Sequence, residues 1–132
     1  MGENVMVDYD GQDAIITYLN GLAWTALTEP TYLKYFDQKS SEEPNVLIVN
    51  LVSITPARLN KDEYILNHHL VLQYVGNTKA NSWPNFKYIL TNLWKLTDAN
   101  SHYEVSNDIS VTYTKDRKIF GIPVFYSEII SM

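Results

Sequence analysis

A chain of 132 residues and 15.2 kDa holds one domain and leaves no room for a second independent core. Apolar residues make up 45%, ordinary for a folded protein, while charged residues are only 19%, so uncharged groups such as the ten Tyr must cover part of the surface. Fifteen acids against ten bases give −5 at neutral pH, which argues against sequence-independent nucleic-acid binding, and the absence of Cys excludes disulfides, thiolate metal sites and thiol catalysis.

Residues 10 to 23 are predicted helical. Asp10 or Asp13 can cap the start, and Ile15, Ile16, Leu19, Leu22 and Ala23 recur at three-to-four spacing as one apolar stripe. Residues 24 to 45 are irregular: Glu29-Pro30 disfavours a helix, yet Tyr32, Leu33, Tyr35 and Phe36 are too apolar for a free linker. Lys39 to Pro44 is the clearest loop.

Asn45 to Thr55 reads as a central strand, apolar on both faces and ended by Pro56, and Ala57 to Glu63 as a polar connection. Tyr64 to Val75 is a second strand, expected to pair antiparallel with the first. Tyr64, Leu66, His68, Leu70, Leu72 and Tyr74 share its core face, and Ile65, Asn67, His69, Val71, Gln73 and Val75 the other.

Gly76 to Asn81 is a turn, with Ser82 as a helix cap and Pro84 in the first turn, where proline is tolerated. A helix over roughly 83 to 97 follows, with Phe86, Ile89, Leu90, Leu93 and Trp94 on its core side. The last third is β: a short strand at 102 to 105, one at 109 to 114, a turn at Lys115-Asp116-Arg117, and a strand from Ile119 to Ile130. Gly121 and Pro123 suggest a bulge or an edge in that last strand.

These elements make a single α+β domain over residues 1–132. An antiparallel sheet of mixed-length strands carries two main helices on one face, plus a terminal β-hairpin. No secretion signal is expected from Met1 to Asp10, which carry acids and no base. No apolar run approaches the ~20 residues that span a bilayer.

No phosphate loop, zinc-protease or nucleophile-elbow motif occurs, so no cofactor, metal or catalytic residue is expected and the chain is read as non-enzymatic. His68 and His69 point to opposite faces of a strand and cannot chelate one ion from there; His68 reads as a hydrogen-bonded core residue. Residues 1 to 66 carry ten acids and four bases, and the remainder five acids and six bases. That polarity fits two solvated faces, or head-to-tail packing of identical subunits. The candidate interface residues are the accessible charges of three loops: Glu42 and Glu43; Arg58, Lys61, Asp62 and Glu63; and Lys115, Arg117 and Lys118.

In element order, the chain resembles the tail-terminator and tail-completion proteins of tailed bacteriophages. The carrying stretches are Asp13-Ala14-Ile15-Ile16, Glu43-Pro44-Asn45-Val46-Leu47-Ile48 and Leu70-Val71-Leu72-Gln73-Tyr74. The resemblance implies a virion protein assembled in the host cytoplasm. Six copies would form a ring at the head-proximal end of the tail tube, against tube and neck proteins, with DNA passing through the lumen without specific binding. The long segment 24 to 45 departs from the pattern. A small acidic protein-binding module, such as a toxin-immunity protein, is the alternative.

Overall fold

The computed structural model describes residues 11–25, 27–34, 45–77, 82–114 and 117–132. Among these residues eight elements follow one another: α1 (Gly11–Asn20), β1 (Thr31–Leu33), β2 (Asn45–Arg58), β3 (Glu63–Asn77), α2 (Ser82–Ala99), β4 (Tyr103–Val105), β5 (Ser110–Tyr113) and β6 (Arg117–Ser131). They form an α+β fold around one sheet of order β1-β2-β3-β6-β4, with β5 also pairing β6. The sheet is antiparallel except for β1, which lies parallel to β2 with Tyr32 opposite Leu47. This strand falls inside the segment that reads as irregular. Three residues are too few for an alternation to register, and Pro30 just before them masks it further.

Both helices bury their apolar stripes on the same face. Ile15 and Leu19 of α1, and Phe86, Ile89 and Leu93 of α2, meet Leu47, Val49, Leu70, Leu72, Tyr74, Phe120, Ile122 and Val124 of the sheet. The opposite face carries a smaller cluster, Val46, Ile48 and Val75. The core face expected for β3 is therefore correct from His68 to Tyr74. One expectation for α2 is overturned: Trp94 is 47% exposed and not part of the core. Five turns of helix bring its far end to the short strand β4, so less sheet lies beneath it.

A polar cluster holds the irregular segment against the sheet and α2. The Tyr74 hydroxyl donates to Asn45 Oδ1 at 2.7 Å, and Asn85 and Asn45 both donate to the Thr28 carbonyl. Burial pushes the Tyr74 phenol above its ordinary range, so it stays protonated and donates. Trp24 closes the end of α1: its indole donates to the Leu19 carbonyl and meets the Tyr88 ring edge-on at 4.8 Å.

The prolines sit where the sheet needs no donor. The Leu59 amide bonds to the Glu63 carbonyl, so residues 57 and 55 also face β3 and Pro56 faces outward. β2 therefore continues through Pro56 to Arg58 as an edge strand instead of ending at it. β6 is not an edge: β3 pairs with all of it, and β4 and β5 share its other side. Pro123 lies between the stretches that pair with β4 and β5, and its carbonyl accepts from the Ser106 amide.

Two glycines make a contrasting pair of substitutions. A Cβ on Gly76 would lie 2.5 Å from the Ser82 Cβ and 3.2 Å from its Cα, against the first residue of α2. A Cβ on Gly121 would crowd the Ser110 Oγ, at 2.4 Å, with the Ser110 Cβ at an ordinary 3.8 Å, and that hydroxyl can rotate away. Gly76→Ala should cost about 1–3 kcal/mol, because the helix start must shift, and Gly121→Ala under about 1 kcal/mol. Thermal melts of the two variants would check this; equal melting temperatures would place the β3–α2 approach wrongly.

Candidate functional site

Length decides what the helices leave bare. β2, β3 and β6 run to 14, 15 and 15 residues, against about 5–6 for an ordinary strand. At ~3.3 Å per residue they extend roughly 45–50 Å. The 18 residues of α2 cover about 27 Å. Residues 52–58, 63–69 and 125–131 thus form a three-stranded arm running to the 59–62 turn, with β4 beside its root at residues 125 and 126.

A bulge at the root of the arm re-aims one strand. Leu51 pairs with Leu70 and Ser53 with His69, leaving Val52 unpaired and 53% exposed. Before the bulge, Leu47, Val49 and Leu51 face the helices; after it, the register places Ile54, Pro56 and Arg58 on that side. Both faces of the arm carry apolar side chains among polar ones. Ile54, Leu66 and Ile130 share the helix side, while Ile65, Phe125 and Ile129 share the other. Val52, Ile54, Leu59, Phe125, Ile129 and Met132 are all exposed.

The arm tip is tightly bonded. Arg58 donates to the carbonyls of Asn60 and Lys61 at 3.0 and 2.9 Å, and Asn60 donates to Glu63 Oε1 at 2.8 Å. The Met132 amide donates to the Asp62 carbonyl, tying the last residue to the turn. The four candidate charges here, Arg58, Lys61, Asp62 and Glu63, therefore balance, and two of them are spent on the turn itself.

Arg117 and Lys118 lie at the other end of the sheet. Arg117 pairs with Asn77, and Glu63 with Ser131, fourteen residues apart along β3 or roughly 45 Å. Lys118 is no free hairpin charge. Its Nζ lies 5.4 Å from the ring centres of Trp83 and Tyr113 and 5.2 Å from that of Phe120. Glu42, Glu43 and Lys115 lie outside the described residues. The six described candidates thus divide between two ends of the sheet, and the arm that carries four of them is not among the expectations from sequence. Its signal was available: Val52, Ile54, Ile65, Ile129 and Ile130 exceed what a short strand needs to bury.

His68 is buried, but neither ring nitrogen has a hydrogen-bond partner among the described residues; Glu128 Oε2 stands 3.7 Å from Nε2, beyond hydrogen-bond reach. The expected hydrogen bond is therefore absent, because the neighbours of His68 across the strands are Ile54 and Tyr126. A shallow groove of about 360 Å³ beside it is lined by His102, Tyr126, Ser127, Glu128 and Ile129. His69 stacks on Phe125 at 4.7 Å, on the opposite face from His68. Among the described residues, no three His or carboxylate side chains are grouped to hold a metal, and no helix is long and apolar enough to cross a membrane. No known protein-family model and no curated protein matches the chain.

Proposed function

We propose that the chain is a structural subunit of a bacteriophage tail, a terminator that closes the head-proximal end of the tube as a ring, most naturally of six copies, and joins it to the neck. The observation that carries this reading is the arm. Its strands are longer than α2 by roughly 20 Å and both of its faces carry apolar side chains, so a monomer leaves Ile54 on one side, and Phe125 and Ile129 on the other, in water. Neighbouring copies that pack on it remove that surface from solvent. A contact between the arm of one copy and a different surface of the next is heterologous, the kind that closes into rings. The element order supports the same reading. It is a non-enzymatic role in the virion, with tube and neck proteins as partners and DNA in the lumen as unbound cargo.

The charges at the arm tip balance, so the attraction between subunits is mainly apolar. An exposed ion pair adds only about 0–1 kcal/mol per interface. Leu59→Asp combined with Ile129→Asp should therefore abolish ring assembly while leaving the monomer's melting temperature within a few degrees, since both side chains are half exposed. Lys115→Glu with Arg117→Glu should weaken assembly less, and chiefly at low salt. Native mass spectrometry and electron microscopy, with and without tail tubes, read both. Rings that form normally from the arm variant would overturn the arm's role. A tight one-to-one complex with a toxin, and no ring under any condition, would overturn the tail reading in favour of an immunity protein.

A further inference from the structure

The C-terminal turns of α2 face the free edge of β4 across an open groove of about 380 Å³. Trp94, Thr97 and Asp98 line one wall, and Tyr103, Glu104 and Val105 the other. Three features of this groove have no use inside the fold. The first is the indole of Trp94, on one side of the helix with Asp98 four residues on, and 47% exposed. The second is charge: Asp98 is exposed and is not met by a cation among the described residues.

The third feature is backbone. Among the described residues β4 pairs only with β6. The Ser127 amide bonds to the His102 carbonyl and the Ser106 amide to the Pro123 carbonyl, so residues 102, 104 and 106 face β6. By alternation, the N–H and C=O of Val105 point away from the sheet, and neither has a partner among the described residues.

We infer that this groove is a strand-addition site for an extended basic segment of another protein. The segment pairs its backbone with Val105 and lays an Arg or Lys over the Trp94 indole beside Asp98. Main-chain pairing at a sheet edge supplies general affinity, and the side-chain pocket supplies the preference. A cation over an exposed indole, with a carboxylate beside it, favours Arg or Lys over neutral or acidic side chains. The net charge of −5 adds a long-range pull on a basic partner. Trp83, the other exposed indole, already has Lys87 and Lys118 over it and offers no such preference. The groove lies away from the arm tip, so the inference stands whether or not the arm builds a ring.

Two labelled eight-residue probes, (Arg-Thr)4 and (Glu-Thr)4, test it by fluorescence anisotropy against the intact chain. The basic peptide should bind and the acidic one should not. Asp98→Lys and Trp94→Ala should each weaken binding about tenfold, with melting temperatures unchanged because both side chains are exposed. Trp83→Ala should leave binding as it is. Hydrogen exchange should show the Val105 amide protected only when the basic peptide is present. Binding that Asp98→Lys does not weaken, binding without Val105 protection, or no binding at all would overturn the inference. Self-association of the chain that is lost in Asp98→Lys would also overturn it, by making the occupant a second copy.

Discussion

Leu70→Asp should leave the chain unfolded at ambient temperature. Leu70 is fully buried in the middle strand, opposite Leu51 on one side and Val124 on the other, and inside the cluster that joins both helices to the sheet. The substitution removes a side chain whose loss alone costs about 2–5 kcal/mol and places an uncompensated carboxylate in apolar surroundings. The sum, about 5 kcal/mol or more, is comparable with the roughly 5–15 kcal/mol that holds a domain folded. Leu93→Asp, on the buried face of α2, should act alike. Circular dichroism and a thermal melt check both; a soluble variant with a native melting temperature would mean that the strand register or the helix face is wrong.

Phe120→Ala should keep the fold but lower its melting temperature by roughly 10–20 °C, from a loss of about 3–5 kcal/mol. Phe120 has no exposed surface, and its ring lies nearly parallel to that of Phe86, 13° apart in tilt and 4.1 Å between centres. Tyr74 and Trp83 stand 6.4 and 6.0 Å away. Truncation leaves a cavity where β6 meets the start of α2, and the rings around it can collapse only in part. It also removes one of the three rings near the Lys118 ammonium, so Lys118 should become more mobile. Phe120→Leu, which keeps most of the volume, should cost under about 2 kcal/mol. If alanine and leucine melt alike, the aromatic cluster does not contribute packing at this junction.

The candidate interaction surfaces are only partly legible in the sequence. The charges of the three loops can be read from their spacing, but not whether the charges are free. Arg58 is bonded into its own turn and Lys118 lies among aromatic rings, so neither is the mobile surface charge that loop position suggests. The groove beside β4 could not be foreseen in the same way. Trp94 continues the apolar stripe of α2, and periodicity alone assigns it to the core. Its exposure follows from how far the sheet extends beneath the helix, which is a property of strands distant in sequence.

Local pattern determined most of the architecture. The three-to-four spacing of Ile15 and Leu19, and of Phe86, Ile89 and Leu93, is enough to form and orient both helices. The alternation through His68, Leu70, Leu72 and Tyr74 is enough to assign the buried face of β3. Period and polarity are local quantities, and burial of one apolar face enforces them. The tertiary structure alone decided three things. Pairing with a neighbour made a strand of Thr31–Leu33, which is too short to stand by pattern. The bulge at Val52 reversed which residues of β2 face the helices, and a single inserted residue leaves no mark on a run that is apolar throughout. The overhang of 15-residue strands past an 18-residue helix exposed the arm, because a strand advances more than twice as far per residue as a helix.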